Sequence, residues 1–138
     1  MSNSAVTAYI LDSFALLAYL ENEPGAAIVQ AKLQASANQA TVLYLCTINL
    51  GELLYIIERE RGLPATQLVL AQLQQLPIQL LEASLARILA AAHIKAHHPI
   101  SYADAFVVAA AQEYQATILT GDPEFAKVTA PIVIEWLS

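Results

Sequence analysis

Four acidic residues stand in this sequence where a strand-like segment ends or a helix-like segment begins: Asp12, Glu52, Asp104 and Asp122. Only 13 % of the 138 residues are charged, so acids at these junctions are informative. Carboxylates that converge repel one another, and a divalent cation removes that repulsion. Because the set contains no Cys or His, its oxygen ligands fit Mg²⁺ or Mn²⁺ rather than Zn²⁺. Such a site can activate a water for in-line attack on a phosphodiester.

Each acid also has a simpler explanation as part of a helix cap. Asp12 and Asp122 directly precede helix starts, where a carboxylate accepts hydrogen bonds from free backbone N–H groups, and Pro123 suits the first helical position. The segments 49–52 and 101–104 both have the pattern of a capping box, with the acid three residues after the cap. Taken singly, each acid is more commonly a cap than a catalyst.

The order of strands and helices gives these acids a reason to converge. In an alternating α/β fold, a helix that follows a strand begins at the carboxyl edge of the sheet, where open sheets bind ligands. Asp12, Glu52 and Asp122 each follow a strand. Asp104 shares one helical stripe with Val107, so its carboxylate faces the apolar interior. An ionised group there is costly unless it is paired or binds a cation.

Strand-like and helix-like segments alternate along the sequence. The predicted strands are the apolar runs 5–11, 41–47, 77–81, 116–119 and 132–134. The predicted helices are 14–20, 26–37, 49–61, 64–75, 84–96 and 101–114, with Ser101 as the cap of the last one. This alternation predicts one α/β domain over residues 1–138, with a mainly parallel sheet and right-handed crossovers.

The charge and the apolar content limit the kinds of partner. Six basic residues against twelve acidic ones give a net charge of −6. That sign is wrong for gripping nucleic acid by bulk electrostatics, so a nucleic acid would be bound locally or through a cation. Hydrophobic residues make up 57 % of the chain, which suggests that another chain covers part of the surface.

Membrane insertion and disulfide chemistry are not expected. No apolar run approaches the ~18 to 20 residues of a membrane span, and the start lacks the basic region of a signal peptide. We therefore expect a soluble, cytoplasmic protein. Cys46 is the only cysteine, which excludes an intramolecular disulfide, and its apolar neighbours indicate a buried thiol without a chemical role.

Four short motifs together resemble the PIN-domain nucleases, especially the VapC-like toxins of bacterial type II toxin–antitoxin pairs. They are Asp12-Ser13, Asn49-x-x-Glu52, the SYAD sequence at 101–104 and the TGDPEF sequence at 120–125. The resemblance implies a three-layer α/β/α sandwich around a five-stranded parallel sheet of order 3-2-1-4-5. Strands one and four would then be neighbours, which makes Asp12 the expected nearest partner of Asp122.

The same resemblance implies roles for individual residues. Asp12, Glu52, Asp104 and Asp122 would be the catalytic acids and the ligands of Mg²⁺ or Mn²⁺. Ser13, Thr120 and Glu124 would support them as two nearby hydroxyls and an outer acid. The activity implied is a metal-dependent endoribonuclease with an RNA substrate, a cognate antitoxin, and a homodimer or higher homo-oligomer.

The sequence departs from the family pattern in two respects. Phe14 stands where many relatives carry a small polar residue. Basic residues are few, and the leading candidates for phosphate contact are Arg59, Arg61, Arg87 and Lys95.

Three other interpretations compete with the nuclease. Asp12 could be the nucleophile of a phosphotransfer enzyme, although the sequence lacks a second acid two residues later. The chain could instead keep the fold as a non-catalytic interaction module. His93 and His97 have a spacing that can bind zinc, but only His98 accompanies them, so a solvated helix face is the favoured interpretation.

Overall fold

Strands and helices alternate in a computed structural model that describes residues 6–138. The strands are β1 (Thr7–Leu11), β2 (Thr41–Cys46), β3 (Ile78–Leu81), β4 (Thr117–Thr120) and β5 (Val133–Trp136). The helices are α1 (Ser13–Leu20), α2 (Ala26–Ala37), α3 (Thr47–Arg61), α4 (Leu63–Gln74), α5 (Leu85–His97) and α6 (Tyr102–Tyr114). A 3₁₀ helix, Pro123–Lys127, connects β4 towards β5.

The five strands form one parallel sheet in the order β3-β2-β1-β4-β5. This is the predicted order. In the register of the sheet, Leu11 at the end of β1 pairs with Leu45 of β2 and with Leu119 of β4. The residues that follow β1 and β4 therefore leave the sheet side by side, at its carboxyl edge.

Two hydrophobic cores lie on opposite faces of the sheet, because successive side chains of a strand point in opposite directions. Ile10 and Ile118 belong to the core that contains side chains of α5 and α6. Leu11 and Leu119 belong to the core that contains side chains of α1 to α4. The predicted three-layer α/β/α arrangement is confirmed.

Helix α6 is the most deeply buried helix, with every residue from Asp104 to Ala111 inside the protein. Its small side chains, three of them consecutive alanines at 109–111, allow it to lie close to the sheet and to α5. The buried run begins with the carboxylate of Asp104. An acid at that place is held among apolar neighbours by the packing of the whole helix.

The predicted boundaries differ from the structure at a few places. Helix α3 begins at Thr47 rather than at Asn49, because β2 ends at Cys46 and the helix follows without a loop. The predicted fifth strand, 132–134, is displaced to Val133–Trp136. Ala5, the predicted start of the first strand, lies outside the described residues. Gly62 ends α3 as expected, with a positive φ of 87° that favours glycine.

None of the helices within residues 6–138 is long and apolar enough to cross a membrane.

Candidate active site

Asp12 joins the ends of β1 and β4. As the N-cap of α1, its Oδ1 accepts a hydrogen bond from the backbone N–H of Ala15 at 2.8 Å. Its Oδ2 accepts a hydrogen bond from Thr120 Oγ1 at 2.5 Å. Both side chains are buried, with 2 % of Asp12 and none of Thr120 exposed. The predicted cap is confirmed, and the same carboxylate also reaches the neighbouring strand.

Thr120 extends this hydrogen-bonded chain to the next acid. Its Oγ1 accepts a hydrogen bond from the backbone N–H of Asp122 at 2.9 Å. Asp122 in turn caps the 3₁₀ helix, since its Oδ1 accepts from the backbone N–H of Glu124 at 2.9 Å. Asp12 and Asp122 are thus held in place through one shared hydroxyl.

The tightest group of acids consists of Asp104, Asp122 and Glu124. One carboxylate oxygen from each lies within 4.8 Å of the other two. Asp104 is buried, and the other two are half-buried. Glu124, which the resemblance implied only as an outer acid, belongs to this group, whereas Asp12 interacts with Asp122 through its charge and through Thr120. The tight turn of the 3₁₀ helix folds Glu124 back beside Asp122.

Glu52 lies on α3 and contacts the first turn of α1. Ser13 Oγ donates a hydrogen bond to Glu52 Oε1 at 2.6 Å and so connects α1 to α3. The bond orients Glu52, which is half-buried on α3. Ser13 therefore contacts one of the four predicted acids.

Asn49 has a place that the sequence did not suggest. It lies inside α3 rather than at its cap and is completely buried. Its Nδ2 donates a hydrogen bond to the carbonyl oxygen of Ala103 at 3.1 Å, next to Asp104 in the first turn of α6. Its Oδ1 is buried without a hydrogen-bond partner among the described residues. The only sequence signal was an asparagine one helical turn before Glu52.

The pKa of Asp104 is raised by the charges of the other acids around it. Burial, and after it the negative charges of four other carboxylates, together raise the pKa of Asp104 from 3.8 to about 7. In order of effect these are Asp122, Asp12, Glu124 and Glu52. All four predicted acids, together with Glu124, therefore lie in one electrostatic neighbourhood.

Asp12 is affected mainly by desolvation. Burial raises the pKa of Asp12 to about 7, against the lowering effect of the hydrogen bonds from Thr120 and Ala15. The charge of Asp122 adds to the increase. Two carboxyl groups that titrate near neutral pH are thus held within a group of five acids.

The donor set fits a hard divalent cation. All five side chains offer carboxylate oxygens, which Mg²⁺ and Mn²⁺ prefer. A positive charge among them would favour the ionised forms of Asp12 and Asp104 that burial and repulsion now oppose. Asp104, Asp122 and Glu124 are the closest set of possible ligands.

The basic side chains proposed for phosphate contact divide into two pairs. Arg61 forms an ion pair with Glu21 at 2.5 Å, and Arg87 binds Glu113 at 3.0 Å. Arg87 also donates to the hydroxyl of Tyr114, so its guanidinium is occupied within the fold. Within residues 6–138, the other two candidates, Arg59 and Lys95, have no carboxylate partner. Arg59 lies over the ring of Tyr55, with its guanidinium carbon 5.4 Å from the ring centroid.

The two histidines at zinc spacing contact each other on the exposed face of α5. The rings of His93 and His97 are 4.8 Å apart and meet edge to face. Both are exposed, and among the described residues no group of three potential metal ligands includes either of them. This arrangement agrees with the favoured interpretation of a solvated helix face.

The sequence of this chain matches the PIN domain family over residues 9–131. No curated protein sequence matches it. Several solved structures have a similar fold. The structure of VapBC2 from Rickettsia felis bound to a DNA fragment from their promoter contains a chain with 15 % identity and a TM-score of 0.72, and the match covers 94 % of this chain and 98 % of that one.

Two further structures support the same fold assignment. DNA-bound VapBC from Salmonella typhimurium contains a chain with 16 % identity and a TM-score of 0.72, covering 96 % of this chain and 99 % of that one. Mycobacterium tuberculosis VapC20, described as a sarcin-ricin loop cleaving toxin, has 16 % identity and a TM-score of 0.67, covering 86 % and 92 %. At these identities the likeness concerns the fold. Because the family match spans most of the sequence, this protein belongs to the PIN domain family.

Proposed function

We propose that this protein is a metal-dependent endoribonuclease and the toxin of a type II toxin–antitoxin pair. Its catalytic and metal-binding acids are Asp12, Glu52, Asp104 and Asp122, supported by Ser13, Thr120 and Glu124. The observation that supports this most strongly is the convergence of four carboxylates on that of Asp104, at the carboxyl edge of the sheet. Membership of the PIN domain family supports the same assignment.

The five acids form two groups, one that can bind a cation together and one whose members are oriented by hydroxyl groups. Asp104, Asp122 and Glu124 are close enough to hold one cation together. Asp12 and Glu52 lie beside them, each oriented by a hydroxyl, from Thr120 and Ser13 respectively. When bound, Mg²⁺ or Mn²⁺ supplies a polarised water and neutralises charge that develops on the leaving oxygen of a phosphodiester.

The protein's own part in the reaction is to position these oxygens and to hold protons until the cation arrives. Without a cation, the carboxyl groups of Asp12 and Asp104 are each partly protonated near neutral pH, because both have a pKa of about 7. A bound cation would favour the ionised forms of both carboxyl groups, so cation binding would be coupled to the loss of their protons. The buried bond from Thr120 keeps Asp12 Oδ2 in one orientation through this change.

The proposed partners are an RNA substrate, a cognate antitoxin and a second copy of the chain, in the cytoplasm. Support for an antitoxin comes from the fold, which is shared with a toxin–antitoxin complex from Klebsiella pneumoniae at 14 % identity and a TM-score of 0.65. Support for RNA comes from the similarity to VapC20, which is described as cleaving the sarcin-ricin loop. The sequence also matches the PIN family over the segment that carries all five acids.

Phosphotransfer through Asp12 fits the geometry less well. A nucleophilic carboxylate needs an accessible oxygen, whereas Asp12 is 2 % exposed. Its two oxygens each accept a hydrogen bond, from Ala15 and from Thr120.

The decisive experiment is RNA cleavage by the purified protein with Mg²⁺, with Mn²⁺ and with chelator. We expect cleavage that needs the metal and falls at least about 100-fold in Asp104→Asn. Glu52→Gln should also be impaired, and Glu60→Gln provides the matched control because Glu60 is an exposed acid farther along α3. Equal cleavage by all variants would indicate a contaminating nuclease and contradict the proposal. Metal binding without cleavage would favour the non-catalytic interaction module.

A further inference from the structure

Phe14 lies against the segment that carries Asp122. It is the second residue of α1, directly after Ser13. Its ring packs on Gly121 so closely that a Cβ atom on this glycine would lie 2.9 Å from the ring Cζ and 3.0 Å from Cδ1, and closer still to Cε1. Gly121 stands between Thr120 and Asp122, so the ring borders the group of acids.

Much of the Phe14 ring remains exposed. The side chain keeps 41 % of its surface accessible, whereas its sequence neighbours Asp12 and Ala15 are buried. Phe14 belongs to neither of the two hydrophobic cores. Packing on Gly121 accounts for only part of the ring, and the rest is available to another molecule.

We propose that Phe14 is a nucleobase-binding subsite, on which an unpaired base of the RNA stacks beside the phosphate held at the acids. This subsite rests on the proposed nuclease function and defines its substrate as a single-stranded or looped segment. Bases in a duplex are stacked on one another and cannot use such a ring, whereas unpaired bases stack readily on aromatic side chains. Stacking selects for an exposed base rather than for a particular sequence.

The charge distribution makes stacking important for affinity. The chain has a net charge of −6 and only six basic residues. Three of the six, Lys32, Arg61 and Arg87, form ion pairs with carboxylates of the same chain. Phosphate contacts can therefore supply only part of the binding energy, and an aromatic surface next to the acids supplies attraction that does not depend on charge.

A side chain of a partner protein could also cover the ring, but the location favours a nucleotide. Phe14 packs on Gly121, and Gly121 lies between Thr120, which donates a hydrogen bond to Asp12, and Asp122, whose backbone N–H binds Thr120. An occupant of the ring therefore lies next to the position of the phosphodiester to be cleaved. The experiment below separates the two occupants.

The test measures binding of a fluorescently labelled, unstructured oligoribonucleotide by anisotropy, in Mg²⁺, using Asp104→Asn protein to prevent cleavage. Adding Phe14→Ala or Phe14→Leu should raise Kd about ten-fold, while Phe14→Trp should keep it within about two-fold, because stacking needs an aromatic face. Leu89→Ala is the control for loss of an exposed apolar side chain, since Leu89 is 62 % exposed on α5. Circular dichroism melting checks that each variant is folded.

A second arm identifies the base as the ligand. Abasic positions are introduced one at a time along the oligonucleotide. One of them should weaken binding to the protein with Phe14 by about ten-fold and leave binding to Phe14→Ala unchanged. Such coupling between the ring and one base is not produced by a merely structural role of Phe14.

Several results would overturn the subsite. The first is that Phe14→Leu binds RNA with the same affinity as the protein that keeps Phe14. The second is that the abasic positions have equal effects on that protein and on Phe14→Ala. The third is that no RNA binding is measurable. Unchanged RNA binding in all variants would assign the ring to a partner protein instead. Failure of the nuclease function itself is seen separately, as absence of metal-dependent cleavage by the unmodified protein, whereas cleavage that is indifferent to Phe14→Ala would remove the subsite alone.

Discussion

Thr120 Oγ1 donates a hydrogen bond to Asp12 Oδ2 at 2.5 Å and accepts one from the backbone N–H of Asp122 at 2.9 Å. One buried hydroxyl thus fixes two acids that are 110 residues apart in the sequence, from 12 to 122. We expect this hydroxyl to contribute to the stability of the protein.

Replacing Thr120 by Val should destabilise the protein by about 1 to 3 kcal/mol, because the buried carboxylate of Asp12 loses a donor and the Asp122 N–H loses an acceptor. Thr120→Ser should retain most of the stability, since it keeps the hydroxyl. Urea unfolding in chelator measures both. Thr66→Val is the matched control, because Thr66 is also buried but donates only one bond, to the carbonyl of Gly62. Equal losses at both positions would argue against a special role of Thr120.

The stability of the cation-free protein should fall as the pH rises from about 4 to about 7. Asp12 and Asp104 have pKa values of about 7 in the folded chain, above their ordinary value of 3.8. Between these limits the folded state binds more protons than the unfolded state, so raising the pH favours unfolding. Above the raised pKa values these two groups cause no further loss.

Asp104→Asn isolates one of the two groups in this pH dependence. In chelator, the variant should be more stable than the unmodified protein at pH 8 and should lose this advantage near pH 4, where both side chains are neutral. Thermal melting across this pH range, with chelator throughout, gives the comparison. An unchanged pH profile would contradict the raised pKa of Asp104.

Glu124→Gln should weaken Mg²⁺ binding as strongly as Asp122→Asn does. Both acids belong to the group within 4.8 Å that includes Asp104. A cation at a hundred times its Kd stabilises the folded state by about 2.7 kcal/mol, and either substitution should remove most of that gain. Melting temperatures with and without Mg²⁺ measure the effect, with Glu60→Gln as the control. If Mg²⁺ raised the melting temperature of Glu124→Gln as much as that of the unmodified protein, Glu124 would not be a ligand of the cation.

Gly121→Ala should destabilise the protein in a way that depends on Phe14. The added Cβ would meet the ring, so the side chain or the turn must move, at a cost of about 1 to 3 kcal/mol. In a Phe14→Ala background the same substitution should cost much less, because the obstructing ring is gone. Urea unfolding of the four proteins forms a double-mutant cycle. Additive effects would show that the two residues do not interact.

The arrangement of the sheet and the region of the acids could be predicted from the sequence, because local rules and the family resemblance agree there. Asp12 and Asp122 were expected as caps and as members of one site, and the structure confirms both caps. The two roles are compatible, since a carboxylate that accepts one backbone N–H bond still has oxygen lone pairs to spare.

Other details of the site depend on contacts that a linear pattern does not contain. The place of Glu124 depends on a 3₁₀ helix after Pro123, whose tighter turn the sequence pattern did not distinguish from an α-helix. The capping-box pattern predicts Asn49 as a cap, but α3 follows β2 directly and begins at Thr47, which places Asn49 inside the helix. The ion pair of Arg87 with Glu113 joins α5 to α6. It depends on how these two helices pack, which the sequence pattern does not specify.

The position of β1 between β2 and β4 also has a consequence for synthesis of the chain. β1 can pair with β2 once residue 46 has emerged from the ribosome, but its other neighbour ends at residue 120. The hydroxyl that orients Asp12, and the carboxylates of Asp122 and Glu124, arrive only then. Closing a loop of this length has an entropic cost that slows the pairing of such strands. For most of translation, a nascent chain therefore contains Asp12 without the β4 residue that donates a hydrogen bond to it in the folded protein.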